Sequence, residues 1–221
     1  GGPGLILFYG LEPIMAVGTI SFAAVFMMTS GVIQHARKSN VEWRVAALFA
    51  ATALPAAFVT ARFADALNTV VPIKYIIGSA ILVSVVFLGY RYLFLKADDK
   101  DFRFSARTAV LAPVLGLLLG AIMGATGVTG SITVVAMLLI LKLPGPLAVG
   151  TTSFVGLLTL LVASSAHIVE QHVVWRAFFG LLPGVIVGAA VGAHFADRVP
   201  RTVLRLGILA VLAVSATLIF L

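Results

Sequence analysis

Ala16-Val17-Gly18-Thr19-Ile20-Ser21-Phe22 returns 132 residues later as Ala148-Val149-Gly150-Thr151-Thr152-Ser153-Phe154, with one residue changed. Further matches at the same offset are His35 with His167, Trp43-Arg44 with Trp175-Arg176, Ala57 with Ala189, Val59 with Val191, and Phe63-Ala64-Asp65 with Phe195-Ala196-Asp197. An offset held over about 50 residues indicates an internal duplication. In an apolar chain, two long copies favour a membrane transporter over a solenoid, which needs several short units.

The composition is that of an integral membrane protein. Hydrophobic residues make up 61% of the 221 residues and charged residues 10%, whereas a soluble domain is about 25% charged. The absence of cysteine excludes disulfides, thiol catalysis and thiolate metal sites. The net charge of +7 is scattered over loops between apolar segments, so it indicates orientation in a membrane rather than nucleic-acid binding.

Six apolar runs are long enough to cross about 30 Å of hydrocarbon, and each is predicted to be a helix. They are residues 16–34, 45–63, 71–95, 147–166, 177–195 and 203–221. The region 106–141 decides the topology. If it crosses once, the 15 basic residues divide nine against six between the two faces; if it turns back, only Arg62, Lys74 and Arg176 oppose the other twelve. The positive-inside rule favours the second division, with the twelve in the cytoplasm.

We therefore predict an all-α integral membrane protein with an inverted internal repeat, each copy a re-entrant, glycine-tipped hairpin followed by three transmembrane helices. Residues 1–97 form the first repeat, 98–107 a cytoplasmic linker and 108–221 the second repeat. The turn of the second hairpin spans 124–131, between limbs of about 18 and 11 residues that are too short to cross comfortably. The turn of the first is residues 1–4, and its N-terminal limb is not in this sequence. The two turns are expected to meet near the midplane.

The predicted functional site is an anion site at these turns. A helix that restarts after a glycine-rich turn presents free N–H groups and a positive dipole end, which bind an anion without a charged side chain. Hydroxyl groups beside the turn and in the repeated Gly-Thr-x-Ser steps could complete the coordination. The alternatives are close helix packing for the glycines and back-bonding to the preceding turn for the hydroxyls. The candidate substrate-binding residues are Gly1, Gly2, Gly4, Thr19, Ser21, Thr126, Gly127, Thr129, Gly130, Ser131, Thr151, Thr152 and Ser153.

The histidines are interpreted first as interfacial anchors. His35 and His167 close corresponding spans, each ahead of a tryptophan, and proton handling is the alternative role for both. Asp65 and Asp197 are expected to pair in solvent with the arginine beside each of them. No Asp or Glu falls in the middle of a predicted span, so proton coupling has no visible carboxylate carrier. We predict neither a metal site nor a catalytic residue.

The order of these motifs resembles the TauE/SafE sulfite exporter family over almost the whole chain. The second copy carries the resemblance in Gly127-x-x-Gly130, Pro144, Ala148 through Ser153, His167, Trp175, the Gly184-x-x-x-Gly188-x-x-x-Gly192 stripe and Arg198-Val199-Pro200. The first copy has six fewer residues between Gly4 and its Ala-Val-Gly-Thr step than the second has after Gly130. The resemblance implies export of sulfite, a sulfonate such as sulfoacetate, or a related organosulfur anion across a bacterial inner membrane by a multi-pass protein.

The predicted function is thus a transporter, not an enzyme, that exports a small sulfur-containing oxyanion by alternating access of two repeats. A passive anion channel or uniporter is the alternative. An intramembrane hydrolase is less favoured, because Ser131 lacks a matched general base, and a structural subunit would show no substrate-dependent stabilisation. The expected partners are the anion and membrane lipid, with no nucleic acid and no cofactor, and a homodimer is left open.

Overall fold

The chain folds into a bundle of helices. The computed structural model describes residues 5, 9–70, 72, 75, 78, 79, 81–83, 85, 86, 102–126, 130–196, 207, 210 and 214. Within these residues there is no strand. The helices with defined bounds are α1 (Pro13–Arg37), α2 (Trp43–Arg62), α3 (Ala64–Val70), α4 (Ala106–Thr126), α5 (Gly130–Leu139), α6 (Gly145–Val169) and α7 (Trp175–Ala196). Of these, α1, α2, α4 and α6 are long and apolar enough to cross a membrane.

Four of the six predicted spans correspond to helices α1, α2, α6 and α7, and the all-α class is confirmed for the described chain. The predicted spans 71–95 and 203–221 lie almost entirely outside the described residues. Helix α1 begins at Pro13, whose fixed φ and missing N–H suit the first position of a helix.

The turns that follow α1 and α6 have the same backbone structure. Ser39 and Gln171, which correspond at the offset of 132, adopt φ values of 54° and 60°. The N–H of Asn40 donates to the carbonyl of His35 at 2.9 Å, and a 2.8 Å bond joins the corresponding residues 172 and 167. A left-handed residue just past the last turn is a common way to end a helix and to satisfy its final carbonyls.

The turns that precede α1 and α6 match as well. The N–H of Leu11 donates to Leu5 O at 3.4 Å, and that of Leu143 to Met137 O at 2.9 Å. Gly10, with φ of 61°, corresponds to Lys142, with φ of 58°. The duplication seen in the sequence is therefore a duplication of structure in these turns.

Helix α4 lies against α2 through glycines at every fourth residue. A Cβ on any of these glycines would collide with the backbone of α2. Gly116 faces Phe49, Gly120 faces Ala53, and Gly124 faces Ala57. The residue numbers of the contacting positions increase along both helices, so α2 and α4 run in the same direction. The Thr60 hydroxyl also donates to Ala121 O at 2.9 Å. Small residues allow this close approach where apolar burial gives no driving force.

The segments that lead into α4 and out of α5 lie at one end of the bundle, here named the Asn40 end. The guanidinium of Arg44 lies 5.9 Å from the Phe104 ring centre. Leu141 and Leu143, after α5, share a buried cluster with Val41, which precedes α2. At the opposite end, named the His172 end, the last residues of α2 and α6 meet; Ala61, Ala163 and Ala166 form a buried cluster there.

The first limb of the predicted hairpin is longer than expected. Helix α4 has 21 residues instead of about 18, and by length and composition it can cross a membrane. Its last turn does not stop near the middle of its neighbours. Gly124 lies against Ala57 and Thr60 of α2 and against His167, two residues before the end of α6. The expectation of a turn near the midplane is corrected: the end of α4 lies near the His172 end.

Candidate functional site

The threonines of the two Gly-Thr-x-Ser steps accept hydrogen bonds from the starts of other helices. Thr19 Oγ1 accepts the N–H of Val174, just before α7, at 3.0 Å. Thr151 Oγ1 accepts the N–H of Glu42, just before α2, at 2.9 Å. Both threonines are fully buried. Because the first N–H groups of a helix have no partner within it, these hydroxyls satisfy donors that would otherwise be buried unpaired.

The glycines of the two steps allow the same reciprocal approach. A Cβ on Gly18 would collide with the carbonyl of His172, and one on Gly150 would collide with the carbonyl of Asn40. The phenylalanine near each glycine also contacts the tryptophan of the other half. Phe22 contacts Trp175 edge-on at 5.8 Å, and the corresponding pair in the other direction, Phe154 and Trp43, lies at 5.0 Å.

The two steps consequently lie at opposite ends of the bundle. Thr151 is at the Asn40 end, whereas Thr19 is at the His172 end beside the loop that follows α6. The helical stretch from Thr151 to Val169 is about 27 Å long at 1.5 Å per residue. The prediction that both steps complete one anion site is therefore wrong in its geometry: they can line two sites, one at each end, but not a single one.

The remaining hydroxyls of the steps differ from one another. Ser153 Oγ donates to Val149 O at 2.9 Å, which is the back-bonding alternative. The hydroxyls of Ser21 and Thr152 are buried without a hydrogen-bond partner among the described residues. Such groups are costly to leave unpaired; Ser21 lies at the His172 end and Thr152 at the Asn40 end.

Replacing Thr151 by valine is expected to destabilise the protein by about 1–3 kcal/mol, since the isosteric side chain leaves the N–H of Glu42 without its acceptor. Thermal unfolding of the purified protein in detergent measures the loss. Ser153→Ala is the matched control, because its half-exposed hydroxyl only repeats a helical carbonyl contact, and it should change stability by less than about 0.5 kcal/mol. Equal stability of the two variants would contradict the structural role of Thr151.

The helix that leads into the predicted turn of the second hairpin ends in buried residues. Residues 123–126 at the end of α4 are all buried, and α5 begins again at Gly130. The Thr126 hydroxyl donates to Ile122 O at 2.6 Å, and Thr133 Oγ1 lies 3.7 Å from Met123 Sδ. Gly130 and Ser131 are described through their backbone as the first residues of α5. Gly127 and Thr129 lie outside the described residues.

The candidate glycines of the first copy, Gly1, Gly2 and Gly4, also lie outside the described residues. The alignment of the neighbouring residues indicates which positions of the second copy they correspond to. Leu5 makes the backbone contact that Met137 makes in the second copy, and continuing that register aligns Gly4 with Ala136. The sequence interpretation had aligned Gly4 with Gly130, and the six-residue difference between the copies is accounted for by this shift.

The most polar buried cluster is a chain of three side chains at the His172 end. His167 Nε2 lies 3.3 Å from Gly124 O, His167 Nδ1 lies 3.2 Å from His172 Nδ1, and His172 Nε2 lies 2.9 Å from Asp65 Oδ2. His167 is fully buried, and the His172 side chain is 4% exposed whereas that of Asp65 is 69% exposed. This hydrogen-bonded chain runs from the exposed carboxyl group of Asp65 to the last turn of α4.

The hydrogen bonds of His167, His172 and Asp65 show that two interpretations made from the sequence are wrong. His167 is not an interfacial anchor, because it is enclosed by protein and hydrogen-bonded on both ring nitrogens. Asp65 does not pair with the neighbouring Arg62, which lies 3.5 Å from Glu170 instead. In the first copy His35 has a buried Nδ1 without a hydrogen-bond partner among the described residues. No group of three or more metal-ligating side chains occurs in the described part of the chain.

These features define a helical membrane protein with polar groups enclosed among its helices. The chain belongs to the TauE/SafE sulfite exporter family, whose model matches residues 2–219. It is 24% identical over 219 residues to the probable membrane transporter protein YdhB of Bacillus subtilis, which covers 97% of this chain and 88% of the relative. It is 25% identical over 209 residues to the probable membrane transporter protein YunE of the same organism, over 85% of this chain and 73% of the relative. No solved structure matches the chain significantly. The protein is a membrane transporter.

Proposed function

We propose that this transporter exports a small sulfur-containing oxyanion, such as sulfite or a sulfonate, across a bacterial inner membrane, and that the break between α4 and α5 binds the anion. The observation that carries the proposal is the burial of described residues on both sides of this break. The last residues of α4 are buried, and α5 starts among buried neighbours that include Thr133. The described flanks of the break are enclosed by protein near the His172 end, at the level of His167.

The start of α5 supplies the chemistry of an anion site. Its first N–H groups have no acceptor within the helix and lie at the positive end of the helix dipole. Hydrogen bonds to a charged group contribute about 1.5–3 kcal/mol each. Two or three of them contribute about 3–9 kcal/mol before the cost of association is subtracted. The net binding is therefore weak, which allows an anion both to bind and to leave.

The two halves are proposed to be inverted in the membrane. Each of α1 and α6 begins beside the loop that follows the other, which supports antiparallel packing of these corresponding helices. Charge supports the same orientation. Of the described basic residues, the Asn40 end carries Arg37, Lys38, Arg44, Arg103, Arg107 and Lys142, and the His172 end carries Arg62 and Arg176. The positive-inside rule then places the Asn40 end in the cytoplasm.

The segment α4–α5 is proposed to be re-entrant, since both its flanks lie at the Asn40 end. Alternating access follows from inversion: rocking one half against the other opens the break first to one face and then to the other. The reciprocal contacts of Gly18 and Gly150 with the opposite half are the surfaces on which that motion would turn.

A thermal-shift screen of the purified protein tests the substrate class. Sulfite, thiosulfate, sulfate and sulfoacetate are compared with acetate and taurine at equal ionic strength. A ligand present at a hundredfold excess over its dissociation constant stabilises the folded state by about 2.7 kcal/mol. We expect stabilisation by at least one sulfur oxyanion and none by acetate. Equal stabilisation by acetate would contradict the sulfur-oxyanion class, and a complete absence of stabilisation would contradict the binding site.

A further inference from the structure

We propose that His167, His172 and Asp65 form a proton-binding site whose occupancy is coupled to the break between α4 and α5, so that the proton is the coupling ion of transport. The proposal rests on the proposed transport function, and it also makes a prediction about the histidines that does not require transport.

The three side chains make three hydrogen-bond contacts, and each contact needs one proton between its two heavy atoms. Two neutral imidazoles carry one N–H each, so they supply only two of the three. The third proton resides either on an imidazole, as an imidazolium beside the Asp65 carboxylate, or on Asp65 as a carboxylic acid. The trio is electrically neutral in both arrangements. Removing the third proton leaves one negative charge, so the trio exchanges one proton with its surroundings.

The exposed carboxyl group of Asp65 connects the buried imidazoles to the protein surface. A proton on Asp65 passes to His172 Nε2 while the Nδ1 proton of His172 passes to His167 Nδ1. This leaves His167 as the imidazolium, with Nε2–H still donated to Gly124 O, and Asp65 as the carboxylate. All atoms and charges balance, and no side chain has to move beyond hydrogen-bond distance.

Loss of the third proton changes the contact with α4. The charge-assisted bond from His172 to Asp65 is the shortest of the three at 2.9 Å, and the bond to Gly124 O is the longest at 3.3 Å. The two remaining protons therefore stay on the bonds nearer Asp65, and His167 Nε2 and Gly124 O face each other as two acceptors. The Gly124 carbonyl is one of the last four of α4, which have no donor within the helix. Proton binding thus holds the end of α4, and proton release frees it.

Within the described part of the chain, the two ends differ in these side chains. At the Asn40 end the same turn carries Asn40 in place of His172, and His35 has no recorded partner for Nδ1 within the described residues. Asn40 also shows that the turn accepts asparagine without a change in backbone hydrogen bonding.

Among the described residues, few other charged side chains lie near the trio. On the elements packed around it, the remaining charged side chains described at the His172 end are Glu12, Arg62, Glu170 and Arg176. Arg62 and Glu170 pair with each other. Asp65 is therefore the charged partner of the two histidines, and its neutral isostere is the decisive variant.

Asp65→Asn is expected to mimic the proton-loaded state, because an amide N–H can donate to His172 Nε2 and both imidazoles then complete the chain while neutral. Nitrogen-15 NMR of histidine-labelled protein, without any anion, is the first readout. When the pH is varied, signals of His167 and His172 should change together in the wild type and stay constant in Asp65→Asn. Independent or absent changes in the wild type, or an unchanged response in Asp65→Asn, would overturn the proton site.

Transport of radiolabelled sulfoacetate in liposomes with clamped membrane potential is the second readout. For one proton per anion, each pH unit should shift the steady-state anion ratio about tenfold in the wild type. Asp65→Asn should retain anion counterflow but leave that ratio at one, and Glu170→Gln, which removes a carboxylate at the same end, should behave as the wild type. A tenfold response in Asp65→Asn would refute proton coupling. Absent counterflow in the wild type would count against sulfoacetate transport, and the NMR result would then decide the proton site separately.

Discussion

Gly150→Ala is expected to destabilise the folded protein by about 3 kcal/mol, the upper end of the usual range for overpacked interiors. The added methyl group would lie on the backbone carbonyl of Asn40, which cannot rotate away as a side chain could. Asn40 is also held from within its own turn by its N–H bond to His35 O. The effect should appear as a lower unfolding temperature in detergent and as a smaller monodisperse fraction on size-exclusion chromatography.

Gly31→Ala is the control for this prediction. Gly31 lies inside α1, the helix that corresponds to the helix of Gly150, and a Cβ there would meet no atom within 4 Å. Alanine is favoured over glycine in helices by about 1 kcal/mol, so this variant should be as stable as the wild type or more stable. If Gly150→Ala unfolds at the same temperature as Gly31→Ala, the two halves do not contact each other as described.

Gly130→Val is expected to abolish stabilisation by every anion that stabilises the wild type, while the protein still inserts and folds. Gly130 is the first residue of α5, and a branched side chain there would cover the N–H groups that the proposed site offers. Valine adds apolar surface and no polar group, so insertion should be unaffected. The loss should be the whole ligand-induced stabilisation, about 2.7 kcal/mol at a hundredfold excess of ligand.

Thr126→Val separates the backbone from the hydroxyl contribution. The Thr126 hydroxyl already donates to Ile122 O, so its removal should weaken anion binding only modestly and leave the N–H groups in place. Full stabilisation of Gly130→Val by the anion would place the binding site elsewhere, and the glycines of this turn would then serve helix packing.

The sequence predicted the helices well because apolar length and an exact duplication are local signals. The starts and ends of α1 and α6 fall within three residues of the predicted spans 16–34 and 147–166. The equivalence of Ser39 with Gln171 also follows from the constant offset. Apolar runs and repeats suffice for these features because a helix in lipid must satisfy its backbone within itself.

The contacts between the halves could not be read from the sequence. Asp65 and His172 are 107 residues apart, and nothing in the pattern of either segment names the other as a partner. Likewise, Thr19 and Thr151 could equally have bonded to their own helices, and only the approach of another helix start decided their role. One signal was available: His172 breaks the repeat, since the corresponding residue is Asn40. A polar residue that one copy changes is a candidate for function rather than for the shared architecture.

Inversion of the two structurally equivalent halves in the membrane is tested most directly by single cysteines in this cysteine-free chain. Ser39→Cys and Gln171→Cys occupy the same exposed turn of the two copies. With a membrane-impermeant maleimide on right-side-out membrane vesicles, we predict that Gln171→Cys is labelled and that Ser39→Cys is labelled only after the membrane is opened. Labelling of both from the same face would mean that the halves are parallel, and it would contradict the account.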